Sequence, residues 1–257
     1  MTRSNDPGRV PQGPPAGRSV GVAAVDPVPI YREGLSGLVQ RTQGMHWAGQ
    51  AINPHGALQL AEQIHPDVIL VDSGLDPHGH LSKLLIAGDP ALIVVALVRE
   101  ANRTPAFLHD AIAAGVHAAI PRSAESRRLV EGIRRAYLDR RYVDPSLATL
   151  VSAARQSASA AAVRRAQMPL SRREYQVLQL VAEGLENAGI AKVLYLSVET
   201  VRTHVKSILR KLSARDRTHA VTIAFRAGIL VAQPDDGPEQ RISPGSTAPG
   251  VVEYRSR

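Results

Sequence analysis

Two hydrophobic rhythms divide the chain. Between Ser19 and Asp144, short and mostly apolar runs alternate with stretches whose apolar positions recur every three or four residues. The runs are Val20–Val25, Trp47–Ala51, Asp67–Val71, Ala91–Val98 and Ala118–Ile120; the helical stretches are Arg32–Thr42, His55–Ile64, Pro105–Ala114 and Glu125–Leu138. A loop rich in Asp, Pro, Gly and His follows Val71. Apolar strands separated by helices predict a parallel sheet covered on both faces. The expected unit is an α/β doubly wound, flavodoxin-like domain with a five-stranded parallel sheet.

From Leu170 to Leu230 only the helical rhythm persists. Ser171 and Glu174 form S-x-x-E, a capping box ahead of Val177, Leu178, Val181 and Ala182. Gly184 stops that helix, Asn187 is placed to cap a short second one, and Tyr195-Leu196 make a tight turn. Ser197 then caps a third helix with Val201, Val205, Ile208 and Leu212 on one stripe. Glu199, Thr203, Lys206 and Arg210 fall opposite, with Arg202 at the flank. Asp216 caps a fourth helix that ends at Gly228. Two helices joined by a short turn, the second polar and cationic outside, predict a helix-turn-helix in an all-α four-helix domain.

The expected boundaries are a disordered tail at 1–18, an α/β domain at 19–144, a linker at 145–169, the helical domain at 170–231 and a second tail at 232–257. The linker is alanine-rich, with Leu147, Leu150, Val151 and Ala154 at helical spacing. It reads either as a packed helix or as a loose tether.

Charge sharpens the division. The chain carries a net +8, yet Ser19–Asp144 holds 12 basic and 13 acidic residues, whereas Leu170–Leu230 holds 10 and 5. The excess sits where the cationic helix is, as phosphate-backbone binding requires. Cys is absent, which rules out a disulfide framework. With no secretory signal and no apolar run of spanning length, a cytoplasmic location away from membranes is expected.

In a doubly wound sheet, chemistry sits at the carboxyl ends of the strands. Asp26 and Asp72 follow the first and third strands and should share one crevice. Val25–Leu35 (V-D-P-V-P-I-Y-R-E-G-L), Pro66–Asp72 (P-D-V-I-L-V-D) and Ala114–Arg122 (A-G-V-H-A-A-I-P-R) resemble a response-regulator receiver domain. The resemblance implies a phosphoacceptor at Asp72, an acidic pair that helps bind Mg²⁺, a hydroxyl after the fourth strand and a lysine after the fifth. Three positions depart from it: Pro27 replaces the second acid, the hydroxyl position falls near Leu97 or Val98, and Arg122 stands for the lysine. Losing a carboxylate weakens a Mg²⁺ site at Asp26 and Asp72, so no cofactor is expected. Arg122 could pair with Asp72 and keep the charge balance without the chemistry. Phosphorylation of Asp72 and a degenerate receiver are the two readings, and the second is favoured. His78 and His80 are too sparse to argue for a metal.

The whole segment from Leu170 to Val221 resembles the LuxR/FixJ/NarL type of DNA-binding domain, without gaps. In a receiver-linked chain it implies a transcription factor, not an enzyme, acting on double-stranded DNA as a homodimer. By position, Asn187–Lys206 is the helix-turn-helix and Val198–Lys211 the recognition helix. Arg202, Thr203 and Lys206 match base- or phosphate-facing positions. Ser197, Thr200, His204 and Lys211 match backbone-contact or capping positions, and Glu199 and Arg210 complete the face. Val221, Ile223, Ala224 and Phe225 match the usual dimer element. RNA polymerase is a candidate partner, and a sensor kinase is left open. An interaction adaptor that binds no DNA is the rival from another class, and the basic balance of this segment speaks against it.

Overall fold

The computed structural model describes residues 19–161 and 170–231. The expected tails and the later part of the expected linker lie outside the described residues.

The first body alternates as its pattern demands: β1 (Val20–Val25), α1 (Pro29–Gln40), β2 (Met45–Ala51), α2 (Pro54–Ile64), β3 (Val68–Asp72), α3 (His80–Gly88), β4 (Ile93–Val98), α4 (Pro105–Ala113), β5 (Ala118–Pro121), α5 (Ser126–Asp139) and β6 (Tyr142–Val143). The strands form one parallel sheet in the order β2-β1-β3-β4-β5-β6. β1, β3, β4 and β5 are buried throughout, which explains their unbroken apolar character. Asn53 caps α2 by accepting from the Gly56 amide, and Thr104 caps α4 by accepting from Phe107. A proline at the first helical position sets each entry.

Two features differ from the sequence expectation. The sheet has a sixth strand, two residues long, too short to show as an apolar run; the Tyr142 and Asp144 amides donate to His117 and Ala119. The stretch after β3 also contains α3, so that only Ser73–Gly79 lies between strand and helix. Buried Asp76 organises that turn by accepting from the Leu81 and Ser82 amides, both at 2.9 Å, and from the Ser82 hydroxyl at 2.6 Å. Leu81, Leu84 and Leu85 then give α3 its buried stripe.

The expected linker begins as part of this body. A 3₁₀ turn at Pro145–Leu147 leads into α6 (Ala148–Ala161); Leu147 of the turn and Val151 of the helix pack with Phe107, Leu108 and Ala111 of α4. Ala154 is buried as well.

The second body comprises α7 (Arg172–Ala182), α8 (Asn187–Leu194), α9 (Val198–Lys211) and α10 (Arg217–Arg226). Val177, Leu178, Ile190, Leu194, Val201, Ile208, Leu212, Ala220 and Ala224 form its core, while Val205 is half-buried. The apolar cluster continues into the α/β body through Leu58, Ala61, Leu81 and Leu85. At this seam Arg172 donates to the Leu58 carbonyl and pairs with Glu62 at 3.2 Å. Tyr175 is buried there, and the charge of Asp76 acts on it.

Leu147 is fully buried, so Leu147→Ala should cost about 2–5 kcal/mol. Urea unfolding followed by far-UV circular dichroism should show that loss; a change within error would mean that the turn leading into α6 is not packed into the α/β body.

Candidate nucleic-acid interface and the acidic crevice

The helix-turn-helix is set by capping. Ser171 and Glu174 form the capping box of α7: the Ser171 side chain accepts from the Glu174 amide, and the Glu174 carboxylate accepts from the Ser171 amide at 2.6 Å. The same carboxylate reaches across to α9, accepting from the Ser207 hydroxyl and the Lys211 ammonium, both at 2.7 Å. Burial alone would raise the Glu174 carboxyl, but these bonds from Lys211, Ser207 and Ser171 hold it at about 2. One side chain thus closes α7 and fixes α9 upon it.

Asn187 differs from expectation. It is the first residue of α8, Glu186 holds the cap position, and no side chain caps the helix. Tyr195 terminates α8 in the left-handed region at φ 54°, fully displayed to solvent at 91% exposure. Glycine takes that conformation more easily, since it lacks a Cβ. Ser197 then caps α9: its hydroxyl accepts from the Thr200 amide at 3.0 Å and lies 2.7 Å from the Thr200 hydroxyl.

Along α9, Val201 and Ile208 point inward and Arg202, Thr203, Lys206 and Arg210 lie exposed on the outside. Arg202 donates to Glu199 at 3.0 Å, with both side chains largely exposed. Thr203 donates its hydroxyl to the Glu199 carbonyl at 3.1 Å. His204 is half-buried. Ser197 acts here as the cap with Thr200 as its partner, and Lys211 is engaged by Glu174. On α10, Ala224 is fully buried in the core, Val221 and Ile223 are half-buried, and Phe225 is 41% exposed.

The crevice of the α/β body does bring Asp26, Asp72 and Arg122 together, in a different pairing from the one expected. Arg122 embraces Asp26, donating from Nη2 to Oδ1 and Oδ2, both at 3.0 Å, and from Nε to Oδ2 at 3.1 Å. Its contact with Asp72 is longer, at 3.5 Å. The partner of Asp72 is Arg99, absent from the sequence reading: Nε donates to Oδ1 at 2.7 Å, and Nη2 lies 2.7 Å from Oδ2. Leu97 and Val98 are buried in β4, and Arg99 is the first residue past the strand end. The strand ends at Val98, where the sequence pattern also ends it; Arg99 was missed because the resemblance asks for a hydroxyl at that strand end and not for a cation.

Both aspartates are fully buried. Burial pushes the Asp72 carboxyl up, against the downward pull of Arg99 and Arg122, and the bond to Asp72 raises Arg99 in turn. Tyr31 stacks on the Arg122 guanidinium at 3.8 Å and donates its hydroxyl to the Arg122 carbonyl at 3.0 Å. Burial holds that phenol neutral by raising it to about 12. Pro27 contributes no carboxylate, and the Val28 amide donates to Asp26 Oδ1 at 2.8 Å. With Asp26 held by Arg122 and the Val28 amide, and Asp72 neutralised by Arg99, the residues present do not fit a hard divalent cation, which needs several oxygen ligands. His78 lies 3.4 Å from Asp110, with the His80 ring 6.2 Å away. Among the described residues no helix is long and apolar enough to cross a membrane.

A receiver-like α/β body carrying a capped helix-turn-helix unit has the build of a transcription regulator with an attached regulatory domain. The model of the bacterial regulatory proteins, luxR family, matches residues 168–224. The transcriptional regulatory protein YxjL of Bacillus subtilis (strain 168) is 32% identical over 216 residues, covering 81% of this chain and 96% of that protein. The transcriptional regulatory protein LiaR of the same organism is 27% identical over 212 residues, covering 80% and 96%. A solved structure of RcsB from Salmonella enterica serovar Typhimurium, bound to a promoter, is 20% identical with a TM-score of 0.49, covering 80% of this chain and 98% of that one. The chain belongs to the LuxR family of bacterial regulatory proteins, as a LuxR-type response regulator.

Glu174 supplies a test of how α9 is held. Because its folded pKa is depressed, its contribution to stability is full above the ordinary glutamate range and fades as pH falls toward 2. Glu174→Gln should cost roughly 1–3 kcal/mol at neutral pH and flatten that acid dependence. Urea titrations at several pH values check both; an unaltered acid limb would show that Glu174 is not the group responsible.

Proposed function

We propose that this chain is a sequence-specific DNA-binding transcription regulator that reads the major groove with the outer face of α9, and that phosphoryl transfer to Asp72 does not govern it. The observation that carries the first half is the exposed set Arg202, Thr203, Lys206 and Arg210 on a helix whose opposite side is locked into the core. The groove admits an α-helix, and an arginine can bond guanine O6 and N7 together, worth about 1–3 kcal/mol of discrimination. Lys206 and Arg210 supply charge for phosphates. Glu199 holds Arg202 in the free protein and can itself accept from a cytosine amine.

The second half rests on the crevice. Arg99 covers both oxygens of Asp72, and Arg122 covers those of Asp26. An incoming phosphoryl donor meets a carboxylate that is buried and already paired, at a site that does not suit Mg²⁺. Double-stranded DNA is the proposed partner, bound by a homodimer in which Phe225, the exposed residue of the α10 set, belongs to the contact.

In gel-shift titrations, Arg202→Ala should lower preference for the cognate site by about tenfold or more. Lys206→Ala should weaken binding to all sequences and reduce the salt slope by about one. Unchanged cognate binding by Arg202→Ala would show that the reading face is misassigned.

Beryllofluoride with Mg²⁺ should leave both DNA affinity and oligomeric state of the wild-type chain unaltered. A shift in either that is lost in Asp72→Asn would restore conventional control through Asp72.

A further inference from the structure

We infer that the Arg99 guanidinium is a tethered counter-ion that takes the place of an exchangeable divalent cation, so that the Asp26–Asp72 crevice is closed to metal ions by the chain itself and opens when Arg99 is removed. This deepens the reading that Asp72 does not govern the regulator, and rests on it.

Two fully buried carboxylates at adjacent strand ends need positive charge beside them, because unpaired charges are expelled from a low-dielectric site. Arg122 serves Asp26 and touches Asp72 only at 3.5 Å. Asp72 therefore depends on Arg99, which meets its two oxygens at 2.7 Å each. The Oδ2 contact is an ion pair without hydrogen-bond geometry, so that buried oxygen has no hydrogen-bond donor and depends on the Arg99 charge.

The surroundings are shaped to the guanidinium. A Cβ at Gly74 would lie 2.8 Å from the Arg99 Cζ and 2.9 Å from Nε, so a side chain there would collide with the planar group. Arg99 is also anchored at its backbone: its amide donates to the Ser73 hydroxyl at 2.9 Å, and that hydroxyl donates to Asn102 at 3.0 Å. The β4–α4 loop is thereby pinned to the end of β3, with Arg99 binding both Asp72 and Ser73, and Asn102 binding Ser73. A mobile ion would neutralise Asp72 without fastening this loop; a tethered one does both.

Mn²⁺ is the probe, read by electron paramagnetic resonance and by thermal denaturation of the full chain. The wild type should bind no Mn²⁺ at the crevice, and its melting temperature should not respond. Arg99→Ala should melt lower without metal, bind one Mn²⁺ at least about tenfold more tightly than the wild type, and be restabilised by it through mass action. Adding Asp72→Asn to Arg99→Ala should abolish the gain. Arg99→Gln keeps bulk and polarity and serves if the alanine variant folds poorly.

Wild-type Mn²⁺ binding that Asp72→Asn removes would overturn the proposal. So would a folded Arg99 variant that gains no Mn²⁺, or failure of both variants to fold even with Mn²⁺ present. Each outcome is read on metal binding, separately from the DNA titrations that test the function.

Discussion

Two carboxylates buried at the ends of β1 and β3 impose the constraint on which the regulatory body depends. Neither can stay charged in that position without a cation against it. The chain supplies the cations from two other strand ends, Arg99 after β4 and Arg122 after β5. Four of the six strands are thereby joined at one edge of the sheet by ion pairs, in addition to their backbone ladders. Tyr31 extends the arrangement to α1 by stacking on Arg122. The pairs define one arrangement of this edge more than they add net stability, because much of their attraction is spent on dehydrating the ions.

A second carboxylate does comparable work in the helical body. Glu174 serves the start of α7 and the end of α9 together, through Ser171, Ser207 and Lys211. The recognition helix is fastened from behind by a polar anchor as well as by apolar packing, which leaves its outer side chains free of structural duty. Ser197 sets where that helix begins, and so which residues fall outside.

Most of this architecture was legible in the chain. The apolar strands, the S-x-x-E box, the Ser197 and Asp216 caps and the inward stripe of α9 are local patterns, and local patterns survive folding. What escaped was non-local or short. β6 has two residues and exists because Tyr142 and Asp144 find partners on β5 and just before it. α3 lay hidden behind Pro77 and Gly79, whose turn signals outweighed the leucine stripe beyond them. Arg99 escaped although the strand's end was placed correctly at Val98, because its pairing with Asp72 is a contact between side chains 27 residues apart. Asn187 looked like a cap but is the helix's first residue, an offset of one that a pattern cannot resolve. For Lys211, the sequence marked a basic residue at the end of a helix, while the partner that claims it lies on α7.

The seam between the bodies bears on how such a protein could be recombined. Arg172 and Tyr175 belong to the helical body, yet Arg172 binds Leu58 and Glu62 of the other, and Tyr175 is buried beside them. A helical body grafted onto an unrelated receiver would arrive with an unmatched guanidinium and a stranded aromatic ring. The two halves are therefore matched parts, and in any lineage that shuffles such domains, α7 and the α2–α3 surface would have to change in step.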